Sequence, residues 1–162
     1  MTQIRIVNKS ENELPSYANP GDAGLDLRAD FSQGVNEDLF SFAAYDNIRN
    51  VVIIFPGGRA LIPTNIYTAI PEGYEVQVRP RSGLALKKGV TVLNTPGTID
   101  SGFRNAWGVI LINLGEEEFE VEQGDRIAQA VLNKVEHIEW VPVEDLNSTE
   151  RGMTGFGDSG IK

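Results

Sequence analysis

Leu93-Asn94-Thr95-Pro96-Gly97-Thr98-Ile99-Asp100-Ser101-Gly102-Phe103-Arg104 is the stretch on which the reading of this chain turns. It sets an amide, a carboxylate, an aromatic ring and a guanidinium within eleven residues, around a Pro-Gly turn. Apolar runs flank it, Val90-Thr91-Val92-Leu93 before and Trp107-Gly108-Val109-Ile110-Leu111-Ile112 after. Two strands joined by a loop that dips into a pocket have this form. An Asn can read the edge of a base, an Asp can hold a water, and an Arg can meet a phosphate. An ordinary polar hairpin tip is the plainer alternative, and this stretch alone does not separate the two.

Outward from that loop, the chain reads as short strands punctuated by Gly and Pro. Tyr74, Val76 and Val78 alternate with Glu75, Gln77 and Arg79, the pattern of a half-buried strand. Arg79-Pro80-Arg81-Ser82-Gly83 ends it, and Leu84 to Lys88 forms a short helix stopped by Gly89. Ser82 therefore stands at a helix start, where free N–H groups favour an anion, although a plain capping serine would look the same. On the other side, Trp107 to Leu114 is apolar nearly throughout, which predicts burial on both faces. Phe119 to Glu122 and Arg126 to Leu132 supply further strands, separated by Gln123-Gly124-Asp125. Towards the N-terminus, residues 2–8 alternate weakly, as an edge strand does. In Ala23 to Ala29, Leu25 and Leu27 share one face and Asp26 points the other way. Val51 to Phe55, Arg59 to Thr64 and Ile66 to Ile70 are also strands, with Pro56-Gly57-Gly58 read as a turn. Residues 31–50 have no clean period and read as a surface excursion with one helical turn. The class is all-β, barrel or sandwich.

Composition narrows the chemistry. At 162 residues one domain is expected. The absence of cysteine excludes disulfides, thiolate nucleophiles and Cys-ligated zinc, and the single histidine, His137, excludes a His-rich metal site. The mixed N-terminus is unlike a signal peptide, so a cytoplasmic setting is expected. A net charge of −9 opposes binding to long nucleic acid, yet five of the fourteen basic residues fall between Arg79 and Arg104. A small anionic ligand suits that pattern. The tail, Arg151 to Gly160, holds four glycines, one Arg and one aromatic ring. Gly155, Gly157 and Gly160 formally match a dinucleotide fingerprint, but no apolar strand precedes them and no helix can follow. A glycine-rich flap that wraps phosphates and stacks Phe156 on a base remains.

Pro20–Ala29, Arg79–Val90, Asn94–Asn113, Gly124–Val131 and Arg151–Gly160 together resemble the motifs of the trimeric dUTP pyrophosphatase (dUTPase) family, in the family's order. The resemblance implies a β-clip, a distorted jelly-roll-like barrel with one short helix. It also implies a homotrimer with C-terminal arm exchange and shared active sites. Residues 1–150 would form the single β-domain, 31–50 a surface insertion and possible protein contact, and 151–162 a flexible phosphate-binding arm. The implied reaction takes dUTP to dUMP and pyrophosphate, with Mg2+ mainly on the triphosphate. Asp100 would hold the attacking water. Asn94 with nearby backbone at Gly97 and Thr98 would read uracil, and Phe103 would exclude a 2′-hydroxyl. Arg81, Ser82, Gly83 and Gln129 would hold the phosphate chain, and Asp26 would reach magnesium through water. Arg151, Gly157 and Ser159 would clasp the γ-phosphate while Phe156 covers the base.

The chain departs from the family pattern at several points. Phe103 replaces a common Tyr, Asn105-Ala106 a common Gly-Glu, Gly102 a common Asp, and Asp158 a Ser or Thr. Two rivals share the resemblance. A dCTP deaminase needs a Glu near the base, and none occurs between Gly83 and Leu114. A dUTP-binding trimer that acts by protein contact would use residues 31–50.

Overall fold

The computed structural model describes residues 1–150 together with Gly152 and Met153. Eleven strands and one short α-helix make up the described chain. Arg5–Asn8 (β1) pairs antiparallel with Ile66–Ala69 (β5) as a two-stranded ribbon. Leu25–Arg28 (β2), Tyr74–Arg79 (β6), Gly97–Ile99 (β8) and Arg126–Lys134 (β11) form a four-stranded sheet in the order β2-β11-β6-β8. A larger sheet runs through Phe119–Glu122 (β10), Val51–Pro63 (β4), Gly108–Asn113 (β9) and Val90–Val92 (β7), with Phe40–Asp46 (β3) also on β4. Alternation decides which faces meet. Leu27, Val52, Ile54, Ile62, Val90, Leu111, Val121 and Ile127 are all under 2% exposed and form the core.

The 13-residue β4 is the central strand, and it departs from the sequence reading. Pro56-Gly57-Gly58 does not turn the chain; it is a bulge inside one continuous strand. Opposite it, β3 shifts register between Ser41 and Ala43, and Phe42 sits at φ +50 and is 77% exposed. A Cβ at Gly58 would lie 2.0 Å from the Phe42 carbonyl oxygen, so only glycine lets the two strands close here.

Residues 31–50 likewise hold more structure than their texture suggested. A 3-10 turn at Glu37–Leu39 leads into β3, and Phe31 is buried with its ring 5.9 Å from that of Tyr45. The β3–β4 turn is tied off locally. Asp46 Oδ1 accepts from the Ile48 and Arg49 N–H groups, and Tyr45 Oη donates to Asn50 Oδ1. Arg49 reaches across to Glu120 on β10 at 2.6 Å. β9 differs too. Val109, Leu111 and Asn113 are buried, but Ile110 and Ile112 are only half-buried, because one face of the sheet meets the core and the other is open on a lone chain. The helix, Ser82–Lys88 (α1), ends as expected on Gly89 in the left-handed region.

One buried carboxylate joins four segments. Asp30 is 0% exposed and takes part in no salt bridge among the described residues. Its Oδ2 accepts from the Glu11 backbone N–H at 2.7 Å and Gln123 Nε2 at 2.9 Å. Its Oδ1 accepts from Asn65 Nδ2 at 2.7 Å and from the N–H and hydroxyl of Ser32. Burial by itself would raise its pKa, but the hydrogen bonds from Ser32, Asn65, Glu11 and Gln123 outweigh it, and the net direction is downward.

Replacing Asp30 by Ala leaves those donors without an acceptor and should cost about 2–4 kcal/mol. Because the folded pKa is depressed, the stabilisation from ionised Asp30 is complete above about pH 4 and is lost as pH falls through the folded value. Urea unfolding at one protein concentration, run at neutral and acid pH, checks both points. Asp30→Asn should close its gap to the parent only on the acid side.

Candidate active site

The four-stranded sheet lines up the polar residues. Gln129 on β11 stands opposite Asp26 on β2 and opposite Arg79 on β6. On β6, Val78 faces Gly97 and Gln77 faces Thr98. Cross-strand partners share a face, so Asp26, Gln129 and Arg79 form one row, while Leu27, Ala128 and Ala130 point into the core.

Arg81 caps the N-terminus of α1 through its backbone, accepting from the Leu84 and Ala85 N–H groups. Its guanidinium reaches over the start of β11 to β2. Nε lies 3.2 Å from Asp26 Oδ1, and Nη1 donates to the Arg126 carbonyl at 3.1 Å. Arg126 Nη1 in turn donates to Asp26 Oδ2 at 3.2 Å. Asp26 Oδ1 is buried and makes no hydrogen bond of good geometry, since Arg81 Nε is close but poorly aligned. Two cations around one anion leave this corner net positive on an acidic protein. Ser82 and Gly83 open α1 beside it; the cap is Arg81, not Ser82.

Arg126 was not singled out from sequence. It lies three residues before Gln129, and strict alternation puts such a pair on opposite faces. A bulge between Arg126 and Ala128 reverses this: Arg126 faces Arg28, and Ala128 faces Leu27. Ile127 and Ala128 are consequently both buried, at 1% and 0% exposed. Adjacent apolar residues within an otherwise alternating strand were the available signal.

The loop on which the sequence reading began holds a strand of its own, β8, clipped to β6. Asn94, Thr98, Asp100 and Phe103 are exposed around it. Phe103 N–H donates to the Asp100 carbonyl at 3.1 Å. Arg104 spends Nη1 on the carbonyls of Ser101 and Phe103 at 2.6 and 2.9 Å, bracing the loop. Gly97 is buried under the Asn94 side chain.

The register separates the two groups of residues. Ile99 stands opposite Val76, so Asp100 leaves at the N-terminal end of β6, whereas Arg81 follows its C-terminal end. Val76 and Arg79 alone are about 10 Å apart along the strand. One chain thus joins Asp26, Arg81, Arg126 and Gln129, and carries Asp100 and Phe103 elsewhere. Arg151, Phe156, Gly157, Asp158 and Ser159 lie outside the described residues.

With that geometry in hand, the comparisons with known proteins identify the class. The dUTPase family model matches residues 40–160. A deoxyuridine 5′-triphosphate nucleotidohydrolase of Fusobacterium nucleatum is 47% identical over 158 residues, covering 98% of this chain and 97% of that protein. A protein of the same name from Caulobacter vibrioides is 50% identical over 148 residues, covering 91% and 86%. A Staphylococcus bacteriophage 80alpha dUTPase solved with dUpNHpp superposes with a TM-score of 0.78 at 24% identity, covering 99% of this chain and 100% of that one. The chain belongs to the dUTPase family. Its sheets and single short helix are the β-clip, jelly-roll-like fold expected from the sequence.

A Cβ at Gly97 would lie 3.2 Å from Asn94 Nδ2 and 3.4 Å from the Val78 Cβ. Gly97→Ala should therefore cost on the order of 1–2 kcal/mol and push the Asn94 amide aside. Denaturant unfolding and the shift of the Asn94 side-chain amide resonance test this.

Proposed function

We propose that the protein hydrolyses dUTP to dUMP and pyrophosphate, in active sites completed between chains of a homotrimer. The observation that carries the reading is the separation along β6. A cation-rich corner suited to phosphates lies beyond the C-terminal end, and Asp100 and Phe103 leave at the other, while the Asn94 amide stands on Gly97, opposite Val78. Neither half suffices for the reaction. Two further features support assembly: the open face bearing Ile110 and Ile112, and an exposed apolar run of Ile138, Trp140, Val141, Val143 and Leu146.

Hydrolysis at phosphorus asks a protein mainly for positioning and charge neutralisation. Arg81, Gln129 and the first N–H groups of α1 at Ser82 and Gly83 hold the phosphate chain. From the β8 loop, Asn94 with the backbone at Gly97 and Thr98 reads the uracil edge. Phe103 packs under the sugar where a 2′-hydroxyl would need room. Asp100 orients a water towards the α-phosphorus and accepts its proton as the bond to pyrophosphate breaks. Arg151, Gly157 and Ser159 act on the γ-phosphate and Phe156 on the base, as a C-terminal arm over residues 151–162 that follows the β-domain of residues 1–150. In that division residues 31–50 belong to the β-domain, since Phe31 is in its core and β3 pairs with β4.

The donor set fits magnesium in a limited way. No group of three or more acidic or His side chains capable of holding a metal occurs among the described residues. Asp26 Oδ1 lacks a hydrogen bond of good geometry, although it is buried and Arg81 Nε stands 3.2 Å from it. One carboxylate suits an ion that keeps its waters and takes its other ligands from the triphosphate. When bound there, magnesium would offset phosphate charge.

Asp100→Asn should retain binding of a non-hydrolysable dUTP analogue and lower turnover about 10²–10⁴-fold. Pyrophosphate release from dUTP, compared with dTTP, dCTP and UTP, tests the substrate; parent-like turnover by the variant would remove Asp100 from its role. Phe103→Ala should narrow the preference for dUTP over UTP, read as the ratio of the two kcat/KM values.

A further inference from the structure

Arg126 belongs to the phosphate corner but has no part in the chemistry above. We propose that it is a positioning residue: by holding Asp26, it keeps Arg81 available to the phosphate chain. This rests on the dUTP reading of the site.

The argument concerns which edges of Arg81 are used. A lone Asp–Arg pair favours the two-toothed arrangement, with both carboxylate oxygens on the Nε and Nη2 edge. Here Arg126 Nη1 occupies Asp26 Oδ2 at 3.2 Å, so Asp26 offers Arg81 only Oδ1, at Nε. Arg81 Nη1 goes to the Arg126 main-chain carbonyl. Nη2 consequently makes no protein hydrogen bond among the described residues and is left for an anion. Without the Arg126 side chain, Asp26 is free to turn both oxygens onto Arg81. The corner then loses one positive charge, and Nη2 is consumed within the protein.

Burial separates the roles. The Asp26 side chain is 15% exposed and that of Arg81 27%, whereas that of Arg126 is 46% exposed. Arg126 is the exposed partner and Asp26 keeps Arg81 beside it, so losing the Arg126 side chain should cost little stability and act mainly on ligand binding. The bulge at Ile127 that brings Arg126 onto this face would have no such consequence for a side chain pointing away.

The test is calorimetric binding of the imido analogue dUpNHpp and of dUMP, each with magnesium, to the full chain and to Arg126→Gln, Arg126→Met and Arg126→Lys. The neutral variants should bind dUpNHpp about tenfold more weakly while dUMP affinity stays within about twofold, and Arg126→Lys should recover most of the loss. In turnover, KM should rise with kcat nearly unchanged. Equal weakening of both ligands, unchanged dUpNHpp affinity, or a Lys variant as poor as the Gln variant each overturns the proposal. So does failure of both neutral variants to fold, seen by circular dichroism, because Arg126 would then be part of the framework. If the parent binds neither nucleotide, the dUTP reading itself falls, and this inference with it.

Discussion

The carboxylate of Asp30 is the constraint on which the arrangement of strands depends. A buried charge without a cation partner persists only where hydrogen-bond donors surround it, and each donor must come from a segment held in place. Here they come from the N-terminal loop at Glu11, the segment after β2 at Ser32, the β4–β5 junction at Asn65, and the β10–β11 turn at Gln123. Asn65 takes φ +52 to deliver its amide. Gln123 also accepts from the Phe31 N–H, and the next two residues bond back to Ala29. Those contacts fix where β11 begins against β2. They therefore fix the bulge that follows, and with it the faces on which Arg126, Gln129 and Asp26 meet.

The site divides its labour in a way that suits a highly charged substrate. In the proposed function, phosphate contacts gather where β2, β11 and α1 converge, and the reading of base and sugar falls to a loop clipped to Val76–Val78 of β6. An acidic protein that concentrates cations at one corner repels polyanions in general and still accepts a compact one. The loop holds its own shape, through β8, the Phe103–Asp100 backbone bond and the Arg104 brace.

Much of this was legible where local chemistry and tertiary structure agree. The strand Tyr74–Arg79, the helix stop at Gly89 and the partition of Leu25–Arg28 follow from period and turn chemistry alone. Legibility failed where a long-range partner changed the local rule. Pro56-Gly57-Gly58 has turn composition, but β3 lies alongside and makes it a bulge. The period of β3 is broken at Phe42 by that same bulge, so the strand was hidden. Arg126 was hidden for the same reason on another strand. The apolar run of β9 hid its alternation, because Ile110 and Ile112 face outward and still read as core. Asp30 carried no signal at all, since its partners are scattered from Glu11 to Gln123.

The β3–β4 turn has a consequence for engineering. Its chain reversal is closed by its own residues, through Asp46 Oδ1 and the Tyr45–Asn50 pair, and Ile48 at its crest is 93% exposed. Nothing from the phosphate corner or the base-reading loop takes part in those bonds. Lengthening a surface reversal costs little loop entropy, so the crest is a natural graft point for an epitope or a tether. Ten residues on, Gly58 forbids even one methyl group. A single hairpin thus offers a permissive position for added sequence beside one that admits no side chain.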